Sequence, residues 1–297
     1  MARFTIAAKR KLLQICAFGF TNARPQNLLT GRLYQGAWKN FCAPGLNCYS
    51  CPAATLSCPI GALQAVLGDR RFNMSFYVVG LLLAFGVLLG RAVCGFLCPF
   101  GLLQELLYKI PLPKIKLPRP LRFVKYGVLA VFVVLMPVFA TNALGMGDPA
   151  FCKYICPAGT LEGGILALLL TPAIRSAVGP LFAQKLSILV LCGAGCIIVY
   201  RCFCKVLCPL GAIYGLLNKV SLVRLEYDPD ACIRCGACAK ACLMDVDPVH
   251  CQDHTECIRC GACIAACPAG ALKLTFAGKV PLIKGSDVVP DAAEKSL

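Results

Sequence analysis

Residues 232–242 read CIRCGACAKAC and residues 257–267 read CIRCGACIAAC, two copies of C-x2-C-x2-C-x3-C. In this spacing the first three thiolates of a run cap one 4Fe-4S cubane, and the fourth reaches over to the other cluster. Cys232, Cys235, Cys238 and Cys267 are expected to hold one cluster, and Cys257, Cys260, Cys263 and Cys242 the second. Gly236 and Gly261 would let the backbone turn tightly around each. Zinc folds use spaced pairs of ligands rather than runs of four. Leu243 follows Cys242 where Pro268 follows Cys267, which weakens the turn after the first motif without removing a ligand. Two adjacent clusters would pass single electrons and transform no substrate by themselves.

The remaining thiols are arranged in repeats. RAVCGFLCPFG at 91–101 matches RCFCKVLCPLG at 201–211, CPIGALQ at 58–64 matches CPAGTLE at 156–162, and Thr21-Asn22-Ala23 recurs as Thr141-Asn142-Ala143. Residues four apart on a helix share a face, so Cys94 with Cys98 and Cys204 with Cys208 would each present two thiols to one side. If the halves pack about a pseudo-twofold axis, these four form one site at the inner surface of a membrane, with Arg91, Arg201 and Lys205 offsetting the thiolate charge. A further cluster, a zinc ion, a dithiol relay and plain packing all fit that site. Cys48, Cys51, Cys58, Cys152 and Cys156 form a second candidate set in the outer loops, where a disulfide is the competing reading. Cys16, Cys192 and Cys196 lie within apolar stretches and are expected to act as small packing residues.

The elements that position these thiols are mostly apolar. The 297 residues are 58% hydrophobic and only 15% charged, with a mean hydropathy of +0.72, the composition of an integral membrane protein. Four spans are expected, from Leu12–Ala23, Asn73–Gly90, Tyr126–Gly147 and Leu186–Tyr200. Gly163–Ile174 is too short to cross and should be interfacial or re-entrant. A five-span alternative would move the C-terminal domain across the membrane. The fold class is therefore mainly α: a polytopic bundle at 1–220 in two repeated halves, about 9–108 and 122–218, then an α+β two-cluster ferredoxin domain at 221–277 and a tail at 278–297. The inner segments hold 15 Lys and Arg against 8 in the outer loops, as the positive-inside bias requires. Arg70 and Arg71 lie on the wrong side for this arrangement. The basic, proline-rich stretch at 109–122 should lie extended on the inner surface. No cleavable leader is evident. The net charge of +16 thus sets orientation, and nucleic-acid binding is not expected. His250 and His254 are the only histidines, so no span offers an axial histidine and no haem is expected. The absence of a G-x-G-x-x-G fingerprint argues against nucleotide chemistry.

C-x3-C-P strings after the second and fourth spans, with CPLGAIYGLL at 208–217 leading into paired cluster motifs, resemble the NapH-type membrane ferredoxins. These are related to the polyferredoxin parts of NosR-type and CcoG-type proteins. The resemblance covers nearly the whole chain, although FCAPGLNCYSCPAATLSCP and FCKYICP go beyond the NapH pattern. It implies a multi-pass plasma-membrane protein of a prokaryote with a cytoplasmic ferredoxin domain. Such a protein would be an electron-transfer subunit rather than a stand-alone enzyme, linking a cytoplasmic donor or the quinone pool to a redox partner. Two 4Fe-4S clusters are expected, with one or two more as candidates in the membrane domain. The rival expectation is a CcoG-like maturation factor that reduces thiols or a metal ion for another enzyme.

Overall fold

The computed structural model describes residues 6–69, 76–141, 147–171, 175–176 and 178–283. Arg70, Arg71, Asn142, Ala143, the first residues of the expected second span, the end of the 163–174 segment and the tail beyond residue 283 lie outside them. The described residues are mainly helical, 56% of them, with one small three-stranded sheet. It divides into two compact units.

The first unit joins Met1–Ile15, Leu83–Leu97 and Ile213–Leu297. Its centre is an antiparallel sheet of β1 (Val223–Tyr227), β2 (Leu272–Phe276) and β3 (Val280–Ile283), in the order β1-β2-β3 with Leu225 opposite Leu274. Alternation sends Val223, Leu225, Leu272 and Leu274 to one face, where they pack with Cys238 and Ile264. The two cluster motifs therefore lie over the buried side of the sheet. Residues of the 83–97 and 213–221 segments are built into the same unit. Leu222 N–H donates to Val87 O (2.7 Å), and Asn218 Nδ2 donates to His254 O (3.0 Å) and Cys257 O (2.9 Å). Arg259 donates to Leu89 O (3.2 Å) and Asn218 O (2.9 Å). Close backbone approach requires glycine at two points. A Cβ on Gly95 would stand 2.5 Å from Ile258 O, and one on Gly215 2.8 Å from Thr255 O.

The second unit joins Cys16–Leu82 and Cys98–Ala212. It contains the two helices long and apolar enough to cross a membrane, Arg119–Phe139 (21 residues) and Pro180–Ile198 (19 residues). Only 22% and 11% of their most apolar windows are buried, so neither is the core helix of a water-soluble fold. Val131, Val134, Leu135, Val138, Val190 and Leu191 stand exposed along them. The other two expected spans coincide with helices Ile6–Thr21 and Phe76–Leu89. Their described parts run to 16 and 14 residues, against the roughly 20 that a span needs. In the first helix Asn22, following Thr21, exchanges amide hydrogen bonds with Asn47 (3.2 Å each way). Thr21 O accepts from Thr55 N–H (3.0 Å), so the Thr-Asn pair anchors the loop that carries Cys48 and Cys51.

The expectation that each C-x3-C pair lies on one helix is corrected. Helix Ala92–Phe96 stops before Cys98, and helix Cys202–Val206 stops before Cys208. New helices begin at Pro99 and Pro209. Proline disfavours helical geometry in the residue before it, and Cys98 is accordingly extended, with φ −87° and ψ 114°. Each pair straddles a break.

Arg91 and Glu256 are both buried and pair at 2.7 Å, and Arg91 also donates to Thr255 O (2.6 Å). Glu256→Ala should leave a buried guanidinium without its carboxylate and cost about 3–5 kcal/mol. The loss is measurable as faster amide exchange across residues 254–260, with the 272–276 strand less affected.

Candidate functional site: two cysteine quartets and a duplicated thiol motif

Cys232, Cys235, Cys238 and Cys267 line one cavity of about 420 Å³, together with Tyr227 and His250. Cys242, Cys257, Cys260 and Cys263 line another of about 30 Å³, closed by Met244, Ile258 and Leu274. The structure thus brings the two crossed quartets together, each with its fourth cysteine supplied by the other motif. Both loops turn the same way. Arg234 and Arg259 have φ of 55° and 54°, followed by Gly236 at 72° and Gly261 at 82°. Left-handed residues at these positions turn backbone N–H groups toward the loop interior, and Arg234 N–H points at Cys232 Sγ (3.4 Å). Among the described residues no three His, Cys, Asp or Glu side chains gather tightly enough for a single metal ion. The ferredoxin quartets are included in that statement. A cubane takes its thiolates on different irons and needs a wider ring, so four thiols around a cavity suit a cluster.

The two quartets differ in surroundings. Cys235 is exposed, and a hydrogen bond from Tyr227 with the Arg234 N–H holds the Cys232 thiol below its ordinary pKa. Burial pushes Cys257 up to about 12 and Cys263 well above the usual thiol range. His250, one of two histidines, pairs with Asp247 (2.8 Å) beside the open cavity.

Outside the ferredoxin, sulfur sits repeatedly at the start of a proline-led helix. Cys58, Cys98 and Cys156 have extended backbone with ψ between 109° and 127°. Cys156 and Cys208 each accept from the N–H of the glycine three residues on, Gly159 and Gly211, at 3.3 Å. The residue six beyond the cysteine then makes a contact that sequence reasoning missed. Gln64 Nε2 donates to Cys152 Sγ (3.2 Å) while its Oε1 accepts from Phe151 N–H (3.0 Å). Gln104 Nε2 donates to Cys204 Sγ (3.0 Å) while its Oε1 accepts from Cys204 N–H (3.3 Å). Glu162 accepts from Cys48 N–H (2.6 Å). A glutamine at the same offset in two copies of the motif was the available signal.

The inner candidates are distributed between the units: Cys94 belongs to the first, Cys98, Cys204 and Cys208 to the second. All four are buried. The arginines expected to neutralise thiolates have buried carboxylate partners, Arg91 with Glu256 and Arg201 with Glu105 through Nε (3.0 Å). A buried guanidinium needs a permanent counter-charge, which a neutral thiol does not supply. Cys204 lies within electrostatic reach of Arg201 as well. Cys196, expected to be inert, donates to Gln104 Oε1 (3.5 Å). In the loop set, Cys51 packs with Ala53 and Ala54 and its sulfur accepts their backbone N–H groups.

The comparisons with known proteins agree with this chemistry. Two families, each described as a 4Fe-4S binding domain, match the chain. One matches at residues 57–77, 74–120, 127–170 and 188–226, and the other at 225–242 and 251–273. The electron transport protein YccM of Escherichia coli is 30% identical over 182 residues, covering 54% of this chain and 44% of YccM. The methylamine utilization ferredoxin-type protein MauN of Methylorubrum extorquens is 28% identical over 239 residues, 78% of this chain and 73% of MauN. Protein MJ0749 of Methanocaldococcus jannaschii is 28% identical over 221 residues, 71% of this chain and 74% of that protein. No solved structure matches. The chain binds 4Fe-4S clusters and is of the iron–sulfur electron-transfer type.

Alkylation of the cluster-free chain should label Cys232 before Cys257. A thiol whose pKa is raised on folding contributes stability below its unfolded pKa, about 8.5, and loses it as pH rises toward the folded value. The cluster-free 254–263 segment should therefore open progressively above about pH 8.5, read as amide exchange relative to the sheet. Labelling in the reverse order would contradict the environments described.

Proposed function

We propose that the protein is a membrane-bound conduit for single electrons, with one ferredoxin quartet open to a redox partner and the other enclosed against the ends of the apolar segments. The open cavity supports approach of a soluble donor on the Cys232–Cys235 side. The closed quartet carries the proposal: its loop is held by Arg91, Asn218 and Arg259 to the 86–95 and 215–221 segments. Cys232, Cys235, Cys238 and Cys267 would hold one cluster, and Cys242, Cys257, Cys260 and Cys263 the other. When bound, each cubane supplies a one-electron centre. The protein's part is to supply thiolates, direct N–H groups at sulfur, and leave one quartet accessible while burying the other.

The two long apolar helices support a place in the membrane, and we take the shorter helices Ile6–Thr21 and Phe76–Leu89 as the described parts of two further spans, in the NapH manner. The excess of Lys and Arg in the 1–11, 91–125 and 201–224 segments supports a cytoplasmic ferredoxin. A quinone or a second redox protein is the proposed partner on the membrane side.

Iron and acid-labile sulfide per purified chain test the cofactor content, with about 8 irons for the ferredoxin quartets and about 4 more for each further cluster. Cys267→Ser should remove the same cluster signal as Cys235→Ser and spare the one removed by Cys257→Ser. Loss of the Cys257-dependent signal instead would refute crossed ligation. Reporter fusions after residues 142 and 297 should report opposite sides of the membrane, and the same side for both would favour five spans.

A further inference from the structure

Four of the five loop cysteines are brought together in the second unit, away from the ferredoxin motifs in sequence. Cys48 comes from the long loop after the first helix and Cys58 from the start of helix Pro59–Leu67. Cys152 and Cys156 come from the opposite half of the repeat. Each of the four lies within electrostatic reach of the other three. Glycines make the space between them. A Cβ on Gly159 would stand 3.7 Å from Cys156 Sγ and 3.8 Å from Cys48 Sγ. One on Gly163 would be 3.5 Å from Cys48 Sγ, and one on Gly61 3.8 Å from Cys152 Sγ. Gly61 and Gly159 are the glycines of the two C-P-x-G strings, so the motif keeps the sulfur-facing side of both helices bare.

The surrounding polar groups suit an anionic centre. Gln64 Nε2 donates to Cys152 Sγ, and Gly159 N–H to Cys156 Sγ. Lys39 Nζ is fixed on Ala54 O (2.9 Å) within electrostatic reach of Cys48, and Lys185 Nζ on Cys152 O (3.2 Å). Glu162 is the exception: it accepts from the Cys48 backbone N–H and its carboxylate opposes negative charge on the Cys48 sulfur. Wide, π-type turns at Phe151–Ile155 and Gly159–Ile165 flank Cys156, and such turns recur at functional sites. Burial pushes Cys48 up to about 12 and raises Cys58, Cys152 and Cys156. Cys51 packs beside Cys48 and lies within electrostatic reach of it, but its sulfur is engaged by the Ala53 and Ala54 backbone.

We infer that Cys48, Cys58, Cys152 and Cys156 hold a 4Fe-4S cluster of their own, with Gln64 positioned to tune its potential through the Cys152 sulfur. Neither half of the repeat contains the whole ligand set, and Cys48 lies outside the matched 4Fe-4S segments. The inference rests on the iron–sulfur reading of the chain and adds a centre distinct from the ferredoxin pair.

The test is iron content and cluster spectra of the full-length protein purified without oxygen. Cys58→Ser and Cys156→Ser should each lower iron by about 4 per chain and remove the same electron paramagnetic resonance signal. Cys51→Ser should keep it. The Cys257-dependent signals should persist in all three. Loss of iron in Cys51→Ser equal to that in Cys58→Ser overturns the ligand assignment. Unchanged iron in Cys58→Ser overturns the site while leaving the ferredoxin reading intact, whereas an iron-free wild type overturns both. Gln64→Leu keeps every thiol and guards against variants that fail to fold. It should leave iron unchanged and move the midpoint of that one signal to lower potential, because the reduced cluster loses a hydrogen bond to sulfur. An unmoved midpoint removes Gln64 from the proposal. A disulfide between any two of the four in the freshly isolated wild type, found by mass spectrometry after alkylation, overturns it entirely.

Discussion

The constraint on which the thiol sites outside the ferredoxin depend is the Cys-Pro peptide. Proline offers no N–H and disfavours helical geometry in its predecessor. Cys58, Cys98 and Cys156 follow that preference, each ending one segment and opening the next. Its sulfur then lies at the mouth of a new helix, where the first N–H groups have no intrahelical acceptor. The glycine three residues on supplies one of these N–H groups, as at Cys156 and Cys208. At Gly159 it also leaves the sulfur side without a side chain, where a Cβ would touch Cys156 Sγ at 3.7 Å. A two-residue rule thus fixes backbone direction, donor placement and free space at once, and its duplication places the sites in pairs.

A second constraint follows from burying charge in a chain so poor in acidic residues. With 30 Lys and Arg against 14 Asp and Glu, each buried carboxylate carries weight. Glu105 takes Arg201 and also accepts from Tyr200 Oη (2.9 Å), while Glu256 takes Arg91. Breaking one such pair is expensive because the survivor has no water to turn to. In the first unit this makes the Arg91–Glu256 contact a clamp between the ferredoxin loop and the 83–97 segment. The loop's own apolar anchors are Ile258 and Ile264, both buried, and the ion pair adds a directional contact to them.

Much of this was legible because the relevant signals are local. C-x2-C-x2-C-x3-C specifies which thiols belong together, and the structure gathers those quartets around two cavities. Gly236 and Gly261 adopt the left-handed turns their positions imply. Charge partners were not legible. Arg91 and Arg201 were paired with thiols because both strings repeat, but Glu105 lies four residues past the nearest motif and Glu256 sits in the opposite motif's approach, where no spacing rule links them. The paired thiols were placed on one helix face because spacing was weighed before the proline that interrupts it.

Gln64 and Gln104 show why the repeat matters beyond economy of sequence. Each sits on a proline-led helix of the first half and donates to a cysteine sulfur of the second half, while its amide oxygen accepts a backbone N–H there, from Phe151 for Gln64 and from Cys204 for Gln104. An amide that donates to sulfur and accepts from backbone fixes both the position and the charge environment of that thiol, which a hydrophobic residue of equal size would not. The contact has no counterpart within a single half, because the cysteine and the glutamine that reads it belong to different copies. Duplication therefore produced two mutually dependent halves rather than two independent modules. A substitution at the sixth residue after either cysteine acts on a ligand candidate about a hundred positions away, through one hydrogen bond of roughly 1 kcal/mol, and leaves the local helix intact.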